Sequence, residues 1–360
     1  MPDMQTILSF VVTVAIPVVV LLSFILANAM YLQLMERKVL AHMQSRLGPM
    51  RAGWHGILQP VADAVKFIFK EDIIPAKADK WVFSIAPLIL LVMAFGAFVA
   101  VPFGPPSDFF GLLKKEVPLW VANLNIGVLY ILSMSSVGTY GVIMAGWASN
   151  NKYSLMGGFR SAAQMISYEI PMAFAIITVV LLAGSLSLTD IVNAQRTKWF
   201  LVTPIGPVAF FLYLFAGIAE TNRVPFDLPE AESELVAGYF TEYSGIRFGL
   251  FFMAEYMNML VVSFMASIMF LGGWLPVQIF PHWLGGIAPV AWINKALAFI
   301  PPVLWLLGKV YFFIFFYMWL RATLPRYRYD QLMALSWKFL LPLSLATLLA
   351  AAALKQAGWM

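Results

Sequence analysis

Residues 7–35 read I-L-S-F-V-V-T-V-A-I-P-V-V-V-L-L-S-F-I-L-A-N-A-M-Y-L-Q-L-M, a run with no charged side chain. At about 1.5 Å per residue, such a run reaches ~43 Å as a helix, against a hydrocarbon core of ~30 Å. It is long enough to cross a membrane with tilt or a projecting end, which puts Glu36-Arg37-Lys38 at or past the interface. Ala27-Asn28-Ala29 has the look of a signal-peptidase site, but the residues before the run carry Asp3 and no cation. A secretory apolar region is also only about 7–15 residues long. The run is therefore expected to be a retained first helix.

The rest of the chain has the same character. Hydrophobic residues make up 61% and charged residues 11% of the 360, where soluble proteins have about 45–50% and about 25%. So few charges cannot clothe a water-exposed surface. The expected fold class is an all-α polytopic membrane protein, a single transmembrane domain over 1–360. Cysteine is absent, which excludes disulfides, thiolate zinc sites and iron–sulfur clusters bound by this chain. None of the three histidines is assigned to a span, so a haem on paired intramembrane histidines is excluded as well. Any redox centre belongs to partners.

Further apolar runs at about 81–103, 118–147, 160–183, 200–220, 248–273, 302–321 and 337–354 bring the expectation to about eight transmembrane helices. Internal prolines (Pro17, Pro87, Pro171, Pro207) are tolerated where neighbours take up the carbonyls they free. The stretch 274–301 is apolar but broken by Pro276, Pro281, Gly285, Gly286 and Pro289, and reads as a re-entrant or surface hairpin. Of the basic residues, 16 fall in the loops after the first, third, fifth and seventh spans and six on the opposite side. The positive-inside rule puts the 16 in the cytoplasm and both termini outside. Lys309 alone falls within a span, where it is expected to snorkel or to be paired internally. There is no fixed-period repeat and no pair of matching broken segments, which lowers the case for an inverted-repeat transporter.

Two loops carry the chemistry. In the long loop 36–80, expected to be cytoplasmic, Gln59, Asp63, Lys66 and Lys70 recur at spacings of four, three and four, one face of a helix. Ile57, Leu58, Val61, Val65 and Ile68 form the other face, the pattern of an amphipathic helix lying flat in the interface with its basic residues toward lipid phosphates. That reading leaves Asp63 unexplained. Between Glu220 and Glu255, a region that includes the acidic loop 221–247, stand seven acids (Glu220, Asp227, Glu230, Glu232, Glu234, Glu242, Glu255) against Arg223 and Arg247. The region is net −5 in a chain of net +5. Acidic clusters are usually solvated, but these acids are interleaved with Leu235, Val236, Tyr239 and Phe240, and Glu255 falls inside a span. Glu169 falls in another span, two residues before Pro171. A charged acid at bilayer depth costs about 2.5–3.5 kcal/mol and therefore faces protein or a wet interior. Such carboxylates exchange protons readily near neutral pH. The pattern is that of a proton relay. Acids clamped to arginine are the alternative, although two local arginines cannot pair with seven acids.

These residues have a family look. The sequence resembles the H-type subunits of the bacterial proton-pumping NADH:quinone oxidoreductase (respiratory complex I), relatives of the first mitochondrially encoded subunit, over essentially its whole length. The resemblance is carried by M-E-R-K-V-L-A-H-M-Q-S-R-L-G-P-M-R from Met35, L-Q-P-V-A-D-A-V-K from Leu58, A-E-T-N-R-V-P-F-D-L-P-E-A-E-S-E-L-V-A-G-Y from Ala219 and R-Y-R-Y-D-Q-L-M from Arg326. The third motif is the most specific. Met50 departs from the family, which commonly has Asn after the first Gly-Pro.

The resemblance implies a membrane-arm subunit that forms much of a quinone-binding tunnel and begins a proton relay. By motif position, Arg37, Asp63, Lys66, Arg321 and Arg326 look like tunnel residues. Glu169, Glu220, Asp227, Glu230, Glu232, Glu234, Glu242 and Glu255 look like the relay. It implies quinone as substrate, no cofactor or metal on this chain, and FMN and iron–sulfur clusters in partner subunits. The partners implied are soluble-arm subunits at the quinone site, neighbouring membrane-arm subunits and lipid, with no nucleic acid, in a bacterial inner membrane. The quinone itself comes from the family and not from composition or spacing. Competing readings are the equivalent subunit of a membrane-bound hydrogenase or formate hydrogenlyase, a proton-coupled transporter, and a passive membrane anchor.

Overall fold

The computed structural model describes residues 16–106, 119–227, 237–276, 297 and 300–358. Among them every regular element is helical, the form in which a lipid-embedded chain satisfies its own backbone. In chain order these are α1 (Ile16–Met43), α2 (Gln59–Phe69), α3 (Lys80–Ala97), α4 (Gly127–Ala148), α5 (Lys152–Ala183), α6 (Leu188–Ala194), α7 (Gly206–Glu220), α8 (Gly245–Phe270), α9 (Pro302–Thr323), α10 (Tyr329–Leu335) and α11 (Leu341–Gln356). A π turn, Ser336–Leu340, joins α10 to α11. Among the described residues seven spans are long and apolar enough to cross a membrane: α1, α3, α4, α5, α8, α9 and the α10–α11 unit.

The run expected at 200–220 forms a shorter helix. Helix α7 has 15 residues, about 22 Å. The Thr203 hydroxyl accepts the Gly206 N–H at 3.1 Å, so the helix starts there and Pro207 sits in its first turn instead of interrupting it. The span expected from 118 likewise begins only at Gly127. Residues before it turn back on the end of α3, with Phe103 N–H donating to Leu119 O at 2.9 Å and Ala122 N–H to Val99 O at 3.1 Å. Helix α1 runs past Glu36 to Met43, so His42 falls in its last turn, exposed, and not beyond the helix. The hairpin expected at 274–301 lies mostly outside the described residues.

Helix α8 is the pillar of the fold. Every residue from Met259 to Phe270 is buried, as expected of a helix that is apolar all round. It packs against α1, α2, α3, α7 and α9, while α4, α5 and α11 follow one another outward from α3. Close approach of backbones is allowed by small residues. A Cβ on Gly157 would lie 2.5 Å from the Gly238 Cα, so a bare α5 surface seats the 3-10 turn Gly238–Phe240.

The prolines inside spans are compensated by side chains. Pro171 leaves the Ser167 carbonyl, four residues back, without its helical partner; the Ser336 hydroxyl donates to it at 2.7 Å. Pro87 does the same to Phe83, whose carbonyl accepts from the Tyr243 hydroxyl at 3.3 Å. Burial pushes the Tyr243 phenol up, so it stays a donor. Lys309 is paired internally: its ammonium donates to the carbonyls of Leu271, Gly273 and Leu275 at 2.7, 2.8 and 2.7 Å. It thereby closes the C-terminal end of α8, where a cation is favoured.

Candidate functional site

Helix α2 is amphipathic, and it turns the edge carrying Pro60 and Asp63 inward while Lys66 and Lys70 stay exposed. Asp63 is 8% exposed, whereas Val61, Val65, Ile68 and Phe69 on the apolar side are exposed. The flat-lying arrangement with basic residues outward therefore does not account for Asp63, and a specific partner does. Arg37, on α1, donates to Asp63 Oδ2 at 2.8 Å. Gln59 Nε2 donates to Oδ1 at 3.3 Å, and Lys66 Nζ lies 3.8 Å from the same oxygen.

Beside Asp63 a cavity of about 250 Å³ opens between α1, α2 and α8. Ala29, Met30, Phe67 and Gly249 give it apolar walls, and its polar lining is Gln33, Asp63 and Tyr256. Of the five residues assigned to a tunnel, only Asp63 lines it directly; Arg37 and Lys66 adjoin it through Asp63.

The remaining two join ion pairs at the same end of the bundle. Arg321 pairs with Glu36, which is 4% exposed and also faces Arg223 at 3.5 Å. The Tyr256 hydroxyl donates to Glu36 Oε2 at 2.7 Å, and the Arg223 guanidinium lies 4.3 Å from the Tyr256 ring centre. Arg326 pairs with the buried Asp227 at 3.3 Å. Glu36, Arg223 and Tyr256 were missed from the sequence. The signal available was an acid inside the end of an apolar helix, ahead of two cations in M-E-R-K.

The acids form a second group. Glu169 accepts from the Ser136 hydroxyl and Glu220 from Ser135, neighbours on α4. Glu255 lies within α8 as expected and accepts from the Tyr239 hydroxyl at 3.0 Å. Glu242 accepts from Asn151 Nδ2 at 2.6 Å. The region's own arginines reach elsewhere as well, Arg223 to Glu36 and Arg247 to Asp72 at 2.9 Å. Asp227, clamped by Arg326, fits the arginine-clamp alternative. Glu230, Glu232 and Glu234 lie outside the described residues.

The family profile described as NADH dehydrogenase matches residues 16–352. The chain belongs to the NADH dehydrogenase family. It is 48% identical over 350 residues to the second H-type subunit of the NADH-quinone oxidoreductase of Geobacter metallireducens, covering 94% of each chain. It is 47% identical to the first H-type subunit of the Geobacter sulfurreducens enzyme over 94% of each chain, and 49% identical to the H-type subunit of the Thermomicrobium roseum enzyme over 91% of each. In this member of the NADH dehydrogenase family, the four quoted motifs are joined in space by ion pairs, with Arg223 of the third meeting Glu36 of the first. Arg37 and Glu36 come from the first, Asp63 from the second, and Arg326 from the fourth contacts Asp227 of the third.

Proposed function

We propose that this chain is the membrane-arm subunit of a proton-translocating NADH:quinone oxidoreductase. In this reading it forms the quinone passage and begins the relay that links quinone reduction to proton movement. The observation that carries the reading is the apolar cavity at Asp63 between α1, α2 and α8. A long-tailed quinone needs an apolar passage with polar groups only where its head comes to rest, and Asp63, Tyr256 and the Arg37 bound to Asp63 are such groups. Electrons reach the quinone from flavin and iron–sulfur centres on partner chains.

Reduction adds two electrons and two protons to the quinone head. Until it is protonated, the head carries negative charge. An uncompensated charge ~10 Å from a carboxylate is worth about 1.7 kcal/mol at an effective dielectric of ~20, enough to move a proton on or off an acid near its midpoint. Glu169, Glu220 and Glu255 are the intramembrane members of the relay. Their hydroxyl partners Ser136, Ser135 and Tyr239 each hold one carboxylate oxygen in a fixed direction. Asp227, Glu230, Glu232, Glu234 and Glu242 are the other acids assigned to it. The ion-pair hub at Glu36 orients Tyr256 in the cavity wall.

The chain lies in the bacterial inner membrane with the 36–80 loop cytoplasmic and docked to the soluble arm; the short α7 serves as the eighth crossing, which leaves both termini outside. A cysteine introduced next to Arg51 should react with an impermeant reagent only from the cytoplasmic face; reaction from outside reverses the topology. The function itself is tested by purifying the complex in mild detergent. Flavin and iron–sulfur subunits should accompany the chain, and the complex should reduce quinone with NADH and pump protons in liposomes. Hydrogen-dependent activity without quinone reduction, or transport by the isolated chain, would contradict it.

A further inference from the structure

Glu169 and Glu220 stand on α5 and α7 but take their hydroxyl donors from successive residues of α4. Ser135 has one proton and gives it to Oε1 of Glu220. Glu220 is 7% exposed, and its Oε2 has no hydrogen bond among the described residues. A buried oxygen left in that condition carries its full desolvation penalty, so native structures usually supply a partner, often an ordered water.

Glu220 borders a cavity of about 30 Å³, shared with Ser135, Thr221 and Asn258 within apolar walls. A water requires roughly 10–15 Å³ and two to four polar partners, and this cavity offers both. Thr221 gives its proton to the carbonyls of Gly217 and Ile218, both at 3.1 Å, which leaves its oxygen as an acceptor. Asn258 brings an amide from α8, where it stands three residues after Glu255 and on the same helix face.

We propose that this cavity binds an ordered water between the Glu220 carboxyl and the Asn258 amide, and that Ser135 is the residue that positions Glu220 for it. The role, though not the cavity, rests on the relay reading above. The water extends the pair Glu169–Glu220 toward α8 and Glu255. It gives the Glu220 proton an exit on the Oε2 side, and Ser135, by holding Oε1, fixes the direction of that exit.

An experimental density map of the assembled complex, at a resolution that shows other buried waters, should contain a peak within hydrogen-bonding distance of Glu220 and Asn258. Quinone turnover and proton pumping should both fall at least about tenfold in Asn258→Leu and Ser135→Ala, as expected when a proton-transferring group is misplaced. Ser135→Thr, which keeps the hydroxyl, should restore them. No peak, or normal turnover in both variants while Glu220→Gln is impaired, overturns the water site and leaves the relay standing. Normal turnover and pumping in Glu220→Gln would overturn the relay and this inference with it.

Discussion

Arg37 on α1 and Asp63 on α2 are joined at 2.8 Å, with Asp63 buried and Arg37 partly exposed. This one contact fixes which way the amphipathic helix faces. With Asp63 held by Arg37, the Pro60–Asp63 edge of α2 looks into the bundle, Val61, Val65 and Lys66 stay exposed, and the space left between α1, α2 and α8 becomes a cavity with a charged pair at its edge.

Breaking that pair should impair quinone chemistry selectively. Arg37→Ala leaves the Asp63 carboxylate with only Gln59 and a lysine at 3.8 Å. Because Arg37 is 43% exposed, a cost of about 1–2 kcal/mol is expected, less than for a fully buried pair. Independently of that cost, loss of the pair at the cavity edge should lower NADH:quinone turnover by about tenfold, as expected when a positioning group is lost. Asp63→Asn should match it, and Lys66→Ala should do less, its ammonium being 60% exposed. Electron transfer from NADH to a soluble acceptor should survive in all three, since it bypasses this chain. Wild-type quinone kinetics in both Arg37→Ala and Asp63→Asn would remove the pair from the site.

The proline compensation gives a prediction with its own control. Ser336→Ala leaves the Ser167 carbonyl buried and unpaired, at a cost of about 1–3 kcal/mol. Pro171→Ala restores a backbone N–H to that carbonyl. The thermal stability of the complex should therefore drop in Ser336→Ala and recover in the double variant. Equal stability of Ser336→Ala and the unmodified complex would show that the hydroxyl contributes nothing there.

Much of this was legible in the sequence, because it depended on local composition. The long apolar runs, the face shared by Gln59, Asp63 and Lys66, and the intramembrane position of Glu255 follow from spacing and hydropathy alone. The length of α7 was not legible from hydropathy, which does not register that Thr203 and Pro204 end a helix as surely as a charge does. Nor was the Glu36 hub: Arg223, Tyr256 and Arg321 arrive from elements far along the chain, and no local pattern couples them. The partners of Pro87 and Pro171 escaped for the same reason. A freed carbonyl is predictable four residues before a proline, but the hydroxyl that answers it is a tertiary fact.

Lys309 should behave as a structural cation. Lys309→Met removes three charge-assisted hydrogen bonds from the end of α8. A destabilisation of about 2 kcal/mol or more is expected, seen as a lower melting temperature or weaker assembly. Quinone affinity should be unchanged in whatever complex assembles, because Lys309 is not among the residues lining the cavity at Asp63. A normal melting temperature with altered quinone affinity would reverse that assignment.

The intramembrane acids are expected to carry protons and not to form a structural or solvated cluster. Glutamine keeps the volume and most of the hydrogen bonding of glutamate but cannot release a proton. The most direct measurement is the ratio of protons pumped to NADH oxidised in liposomes containing the assembled complex, with Glu220→Gln or Glu255→Gln on this chain. Assembly is checked first on a native gel. Turnover and pumping should fall together in each variant, because a coupled cycle stalls when its proton step stalls. Full assembly with the unmodified rate and the unmodified ratio in both variants would return Glu220 and Glu255 to a structural role.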